Sequence, residues 1–427
     1  MKRCIRNGRL LSPENRLDQI GSVWIEDGTI RKITDGDANV WPEEEAEFID
    51  AGGCWVIPGL IDLHVHFREP GQTEKETVET GCQAAAAGGV TTVCCMPNTK
   101  PVNDCTEITE AIDRKARAAC GVQVLPVAAI TEGMKGETVV NIDSLCDADT
   151  RCKELLGRAI AAISEDGKSV MNSAVKAEAM TQAKAAGLPV FAHTEDAALT
   201  AFDPEGEEII VARDILLAKK TGCPLHLCHI STRGSLDLIR LGKQWGLELT
   251  AETAPHYFTL TVEDTKNRTD SLRKMNPPLR SAADREAIRQ ALKDGTLDVI
   301  ATDHAPHCAE EKQRPFDRAP FGVVGLETSF AVSYTELVRG GVLTPLELID
   351  KMSTRPAKIL GLDRGRIEEG AAADLVIVDP ERKFVIHGSE LHSKGKNTPF
   401  EGKTVFGKVC CTFIGGELIY REEGGQA

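Results

Sequence analysis

The middle of the chain alternates eight candidate strands with helical segments, and this alternation limits the possible folds more than any other feature. The strand candidates are residues 55–67, 90–96, 122–130, 159–164, 188–193, 225–229, 247–251 and 298–302. The helical candidates between them include residues 74–87, 106–119, 173–186 and 282–293. Eight such units match a TIM (β/α)8 barrel. A doubly wound open sheet is the alternative, but no glycine-rich phosphate-binding pattern favours it.

Both ends of the chain are rich in short strands and turns. Residues 22–33 predict a hairpin around Asp27-Gly28, residues 373–378 predict a strand, and residues 405–420 predict a second hairpin. Neither end alone supplies a core. We therefore predict that residues 1–56 and 370–427 form one small β-sandwich-like domain, and that residues 57–369 form the catalytic barrel.

Composition excludes several classes of function. The 427 residues carry a net charge of −15, so no broad basic surface exists for nucleic acid. No apolar run approaches the ~20 residues of a membrane helix, and Met1-Lys2-Arg3 leads into no apolar signal segment. The 14 cysteines include no CxxC pair. These features predict a cytoplasmic enzyme with reduced thiols and no nucleic-acid or membrane partner.

The first barrel strand carries the most informative motif. Side chains alternate faces along a strand, so Asp62, His64, His66 and Arg68 should share one face, opposite the apolar residues at 61, 63, 65 and 67. We expect the apolar side to pack on helices and the polar side to face the barrel interior. Two imidazoles at i and i+2 can bind one metal ion.

Four more polar residues end other candidate strands. They are Asp166, His193, His229 and Asp303. Because barrel active sites lie at the carboxyl ends of the strands, these side chains should converge with the two histidines of the first strand. Four histidines and two aspartates suffice for a two-metal centre, and such ligands suit zinc, with one or two ions per subunit. His226, three residues before His229, should face away and pack.

Several segments together resemble the dihydroorotases of the amidohydrolase superfamily. They are PGLIDLHVHFREPG at 58–71, GGVTTV at 88–93 with MPNT at 96–99, IATDHAPH at 300–307, APFG at 319–322 and GLET at 325–328. The resemblance spans nearly the whole chain, and the combination is far more specific than the HxH pair alone.

The resemblance implies a role for each site residue. His64 and His66 would bind one metal ion, and His193 and His229 the other. Asp166 would bridge the ions, while Asp303 would ligate the first ion and act as the catalytic proton shuttle. Three residues, Arg68, Asn98 and His307, would hold a substrate carboxylate, and Asn276 would contact the pyrimidine ring.

The fourth strand distinguishes subgroups of these enzymes. Many relatives bridge their metals with a carbamylated lysine. Here Glu165-Asp166-Gly167 ends the strand and Lys168 follows the glycine, which is similar to the dihydroorotase subgroup with an aspartate bridge. We assign no role to Glu165.

The implied activity is the reversible, metal-dependent cyclisation of N-carbamoyl-L-aspartate to (S)-dihydroorotate in pyrimidine biosynthesis. Two alternatives remain: an allantoinase or hydantoinase, and a catalytically inactive scaffold for aspartate transcarbamoylase. The residues proposed for the carboxylate argue against the first, because hydantoins lack that group. The complete ligand set argues against the second. The resemblance also suggests a homo-oligomer such as a dimer and association with aspartate transcarbamoylase.

Overall fold

Two eight-stranded sheets carry the fold in the computed structural model, which describes residues 2–36 and 46–422. The strands are β1 (Lys2–Ser12), β2 (Leu17–Glu26), β3 (Thr29–Asp35), β4 (Glu47–Asp50), β5 (Trp55–Pro58), β6 (Leu60–Val65), β7 (Val90–Cys95), β8 (Gln123–Ala129), β9 (Ala162–Ser164), β10 (Val190–Ala192), β11 (Leu225–Leu227), β12 (Leu249–Thr253), β13 (Val299–Ile300), β14 (Leu375–Val385), β15 (Thr404–Ile414) and β16 (Glu417–Arg421).

Thirteen α-helices lie within these described residues. They are α1 (Val78–Ala87), α2 (Thr106–Ala118), α3 (Ile142–Cys146), α4 (Arg151–Leu156), α5 (Ser173–Ala185), α6 (Pro204–Thr221), α7 (Arg233–Gln244), α8 (Pro255–Thr259), α9 (Ala282–Asp294), α10 (Ala309–Lys312), α11 (Ser329–Ser333), α12 (Pro345–Ile349) and α13 (Arg355–Leu360). Short π segments at Tyr334–Val338 and Asp350–Thr354 extend α11 and α12. None of the helices described is long and apolar enough to cross a membrane.

The first sheet is the predicted barrel. Strands β6 to β13 pair in sequence order, and every pair is parallel. Just beyond the last strand, His304 O accepts a hydrogen bond from the backbone N–H of His66 at 2.8 Å, and His304 forms a parallel bridge with Val65. The last strand is thereby joined to the first. The TIM-barrel prediction is confirmed, and the open-sheet alternative is wrong.

The second sheet combines both ends of the chain. Its strand order is β16-β15-β14-β5-β1-β2-β3, with β4 paired to β1. Both predicted hairpins are present, as β2–β3 and β15–β16. Buried Ile5, Val23, Ile377 and Phe413 belong to its own core cluster. The domain boundaries at 56 and 370 remain a prediction, and their parts at residues 1, 37–45 and 423–427 lie outside the described residues.

The predicted strand 55–67 is in fact two strands of different sheets. β5 pairs with β14 of the terminal sheet, whereas β6 begins the barrel. Gly59 lies between them, and its N–H donates to Asp374 O at 2.8 Å. A Cβ at this position would lie 2.3 Å from Thr91 Oγ1, so the crossing requires glycine.

Candidate metal centre

The histidine-bearing strand departs from simple alternation. The pairing of β6 with β7 shifts between Asp62 and Val65. Ile61 and Leu63 therefore join the cluster that contains Leu125, Phe191 and Val299, one residue from each of three other barrel strands. Val65 belongs to the cluster beneath the helices, as does Phe67, which lies against Gly81 of α1. The prediction that all four apolar residues share one face is wrong, because the irregularity interrupts the two-residue period.

Asp166 lies between the two predicted pairs of histidines. Its Oδ1 is 3.1 Å from His64 Nε2, and its Oδ2 is 3.4 Å from His66 Nε2. The same Oδ1 is 3.6 Å from both His193 Nδ1 and His229 Nε2. All five side chains are buried. The structure thus brings together four imidazoles from three strand ends around one carboxylate.

Asp303 approaches the same centre from the end of the last strand. Its Oδ1 lies 3.2 Å from His66 Nε2 and 3.7 Å from His64 Nε2. Asp303 has a φ of 49° and His229 a φ of 39°. Left-handed backbone is uncommon in residues other than glycine, although Asp and His adopt it more readily than most, and such conformations concentrate at functional sites.

The residues fit divalent metal ions. Two groups, His64 with His66 and Asp166, and Asp166 with His193 and His229, place their ligand atoms within 4.8 Å of one another. His64 Nε2 and Asp166 Oδ1 are buried and lack a partner in hydrogen-bond geometry although they lie 3.1 Å apart. Buried polar atoms without partners are rare, and a shared cation would satisfy both.

The charges of the centre also suit a cation. Burial opposes ionisation of Asp166, but the charge of His64 and the close approach of His193 and His229 outweigh it, so the pKa of Asp166 lies well below its ordinary value. Burial likewise opposes ionisation of Asp303, and the bond with His66 and the charge of His64 lower its pKa. Both carboxylates are therefore ionised at neutral pH, as metal ligands must be.

Glu252, the buried acid behind His64, was not predicted from the sequence. Its Oε1 lies 2.9 Å from His64 Nδ1, and its Oε2 lies 3.0 Å from His226 Nε2. The expectation that His226 only packs is therefore wrong, since it contacts a partner of His64. Burial opposes ionisation of Glu252, but hydrogen bonds from His226 and His64 lower its pKa. The available signal was an acid on a barrel strand otherwise expected to be apolar.

Glu195 is a second acid that sequence analysis missed. Its Oε2 lies 3.0 Å from His193 Nε2 and accepts a hydrogen bond from Asn276 Nδ2 at 2.8 Å. Asn276, predicted to contact substrate, is thus connected to Asp166 through two intervening residues, Glu195 and His193. Glu195 lies two residues beyond a predicted ligand, but spacing alone gives no reason to select it.

The residues predicted to bind a carboxylate fall into two groups. Arg68 Nε donates to Pro306 O at 3.3 Å, which places the guanidinium beside His307. His307 Nε2 donates to Phe321 O at 2.7 Å, and burial with the charge of Arg68 lowers the pKa of His307 to about 3. Asn98 instead accepts from His66 Nδ1 at 2.8 Å and lies 3.4 Å from Asp166 Oδ2. It contacts the metal-ligand set directly.

The other candidate bridging groups are engaged elsewhere. Glu165 Oε2 accepts from the backbone N–H groups of Ile130 and Thr131, at 3.2 and 3.0 Å. Lys168 Nζ donates to Met134 O at 3.3 Å. Glu165 has a structural role in holding the end of β8.

Comparisons with known proteins show the family of the chain. Residues 55–419 match the model of the amidohydrolase family. Proteins named dihydroorotase from Geobacter metallireducens and Geotalea daltonii are each 43% identical, over 99% and 98% of this chain and 100% and 99% of their own lengths. The L-hydantoinase (dihydropyrimidinase) of Arthrobacter aurescens has a similar structure, with a TM-score of 0.86 over 98% of this chain and 96% of that one. At 24% identity, that likeness concerns the fold alone.

Proposed function

The chain belongs to the amidohydrolase family, and from this premise we propose that it is a dihydroorotase. The reaction joins the carbamoyl nitrogen of N-carbamoyl-L-aspartate to its side-chain carboxyl carbon and releases water, which gives (S)-dihydroorotate. It is a step of pyrimidine biosynthesis. The enzyme also runs the reverse ring opening, which makes it a hydrolase of a cyclic amide.

The position of Asp166 is the observation that carries this proposal. One carboxylate within 3.6 Å of four imidazole nitrogens suits a pair of metal ions that would share this carboxylate. We assign His64 and His66 to one ion, His193 and His229 to the other, Asp166 to both and Asp303 to the first. Zinc suits this nitrogen and oxygen set.

Metal ions held by these residues would lower the pKa of a water molecule and polarise the amide carbonyl. Asp303 takes the proton of that water on its carboxylate and delivers it to the ring nitrogen that leaves in hydrolysis. In cyclisation the same carboxylate accepts the proton of the attacking nitrogen. Because the pKa of Asp303 is lowered, its side chain is ionised at neutral pH and can accept a proton.

A carboxylate on the substrate would distinguish dihydroorotate from other cyclic amides. Arg68 is buried, with 9% of its surface exposed, and the one hydrogen bond assigned to its Nε is long, at 3.3 Å. A guanidinium can pair with a carboxylate through two hydrogen bonds. Together with His307 and Asn98 it would hold the carboxylate of dihydroorotate, while Asn276 would contact the ring. Hydantoin and allantoin offer no carboxylate here, which disfavours the hydantoinase and allantoinase alternative.

The proposal is tested by assays in both directions with purified, zinc-loaded protein. Ring closure consumes one proton, because a dianion becomes a monoanion, so carbamoyl aspartate should cyclise best in acid and dihydroorotate should open in alkali. Asp303→Asn should abolish both directions, with a loss of at least about a hundredfold. Full activity of that variant, or of the metal-free wild type, would contradict the proposed site.

Several finer points extend the proposal. We expect one or two zinc ions per subunit, a cytoplasmic enzyme and a homo-oligomer such as a dimer. Association with aspartate transcarbamoylase is a further expectation from the resemblance. Metal analysis, sedimentation and co-purification would test them in turn.

A further inference from the structure

The connection between β14 and β15 of the terminal sheet contains a segment that reaches the rim of the barrel. Residues 392–398, here called the rim strap, lie between β14 and β15. Exposed and buried residues alternate along the first part of the strap, and the polar residues Ser393, Asn397 and Thr398 are buried to 3% exposure or less. Burial of polar side chains in a surface connection indicates that they bond to something beneath it.

Asn397 bonds to the loop that follows the last barrel strand. Its Oδ1 accepts from the backbone N–H of His307 at 3.1 Å. Its Nδ2 donates to Gly322 O at 3.0 Å and to Ala305 O at 3.4 Å. In addition, Val324 N donates to Asn397 O at 3.2 Å. One residue therefore fixes both ends of the loop that carries His307.

Gly395 brings the strap into contact with the neighbouring residue, Pro306. A Cβ on Gly395 would lie 2.5 Å from Pro306 Cβ and 2.9 Å from Pro306 Cα, so no larger residue fits without movement. The carbonyl of Pro306 is the acceptor for Arg68 Nε. The strap thus supports two consecutive residues, Pro306 and His307. Pro306 contacts Arg68 of the proposed carboxylate site, and His307 is itself part of that site.

Two acids hold the strap to the barrel, of which Glu76 is buried and Glu327 is partly buried. Glu76 accepts from the Lys394 N–H at 3.1 Å and contacts His304 Nε2 at 3.3 Å. Glu327 accepts from the N–H groups of His392 and Ser393, at 2.8 and 3.1 Å. Both acids belong to connections of the barrel. The strap is therefore held in place by the barrel rim as well as by the terminal sheet.

We infer that Asn397 and Gly395 are positioning residues for the substrate carboxylate, acting through His307 and Pro306, so that the terminal sheet's connection forms part of the substrate site. The inference rests on the proposed roles of Arg68 and His307. Loss of the Asn397 amide frees the His307 backbone and leaves buried carbonyl and N–H groups unpaired. A displacement of about 1 Å at a substrate-binding group weakens the bond that this group makes, which raises KM and lowers kcat/KM.

Asn397→Ala and Gly395→Ala test the inference in the zinc-loaded enzyme. Each should raise KM for dihydroorotate and the Kd for orotate, a planar ring with the same carboxylate, by about tenfold. We expect kcat within about threefold of wild type and an unchanged zinc content, since no strap residue touches the metal ligands. Asn397→Asp keeps the size of the side chain and the acceptor for His307, and burial beside two carbonyl oxygens favours its protonated form, which can still donate one hydrogen bond. This variant is the alternative where Asn397→Ala does not fold, and it should also raise KM.

Ser389→Ala is the matched control, because Ser389 is exposed in the same connection but outside the strap. A purely structural role would lower the thermal midpoint without separating KM from kcat. Unchanged KM and orotate Kd in folded, zinc-loaded Asn397 variants would overturn the inference alone. A wild type without turnover of dihydroorotate would overturn the proposed function and the inference together.

Discussion

Glu252 Oε1 lies 2.9 Å from Nδ1 of His64, so the opposite ring atom, Nε2, is the one that faces Asp166. A carboxylate behind a histidine fixes its tautomer and orientation and raises its basicity as a metal ligand. His226 holds the second oxygen of Glu252 at 3.0 Å and is itself bonded to Thr250 Oγ1 at 2.8 Å. The first metal ligand is thus oriented by a buried chain of three side chains.

Glu252→Gln should weaken zinc binding by about 10- to 100-fold, because the amide keeps the size of the side chain but not its charge. Competition with a chromophoric chelator measures that affinity without depending on turnover. Glu248→Gln changes an exposed residue just before the same strand and should leave the affinity unchanged. Equal zinc affinity in wild type and Glu252→Gln would show that Glu252 does not orient His64.

The bridging role of Asp166 predicts a contrast with Lys168. Asp166→Asn should remove at least one metal ion and reduce turnover by at least about a hundredfold, because its oxygens face all four histidines. Lys168→Met should keep full metal content, since Lys168 bonds to Met134 O. Metal analysis of both variants decides the matter. A carbamylated lysine between the ions in a metal-loaded crystal structure would refute the aspartate bridge.

The fold could be predicted from sequence because its signals are local. Strand and helix alternation predicted the barrel, and turn residues such as Asp27 and Gly28 predicted the terminal hairpins. The split of residues 55–67 between two sheets was missed, since apolar residues continue through Gly59 and only the contact with Thr91 shows the crossing. Periodicity cannot report which sheet a strand joins.

The candidate site, like the fold, could be predicted only in part. Residues at strand ends, such as Asp166 and His229, could be placed because barrel geometry brings strand ends together. Glu252 and Asn397 could not, because their partners His64 and His307 lie 188 and 90 residues away along the chain. Glu195 lies close to His193 in sequence, but its bond to Asn276 spans 81 residues. Such pairings follow from tertiary packing, which local pattern does not encode.

Arg68→Met should raise KM for dihydroorotate by at least about tenfold and leave metal content intact, since it removes a buried charge-assisted bond. Steady-state kinetics with metal analysis measures both quantities. Arg114→Met, on the exposed side of α2, is the control and should behave as wild type. Normal hydrolysis of dihydroorotate by Arg68→Met would contradict the substrate assignment. Only the assignment to the cyclic amidohydrolases would then stand.

Lys312 predicts a pH dependence of stability. Burial and the charge of Lys274 lower the pKa of Lys312 from 10.5 to about 7. Between these values the unfolded chain holds a proton that the folded protein has released, so the free energy of unfolding rises as pH rises. Below about pH 7 Lys312 is protonated in both states, so it adds no pH dependence to the free energy of unfolding.

Lys312→Met should remove that dependence. The stability of wild type relative to the variant should increase between pH 7.5 and 9.5, by at most about 1.4 kcal/mol per pH unit. Urea unfolding at several pH values measures the difference, with Lys266→Met as an exposed control. The lost bonds to Lys274 O, Pro320 O and Gly322 O lower the variant's stability at every pH. A difference that stays constant with pH would contradict the shifted pKa.

The most direct test of the account is the substrate preference of the zinc-loaded wild type. Ring opening of dihydroorotate, hydantoin and allantoin can be followed with one enzyme preparation and compared as kcat/KM. The account predicts that dihydroorotate is preferred by at least about a hundredfold, because Arg68 and His307 find a carboxylate only on that substrate. A preference for hydantoin or allantoin, or no turnover of dihydroorotate with both metal sites filled, would contradict it.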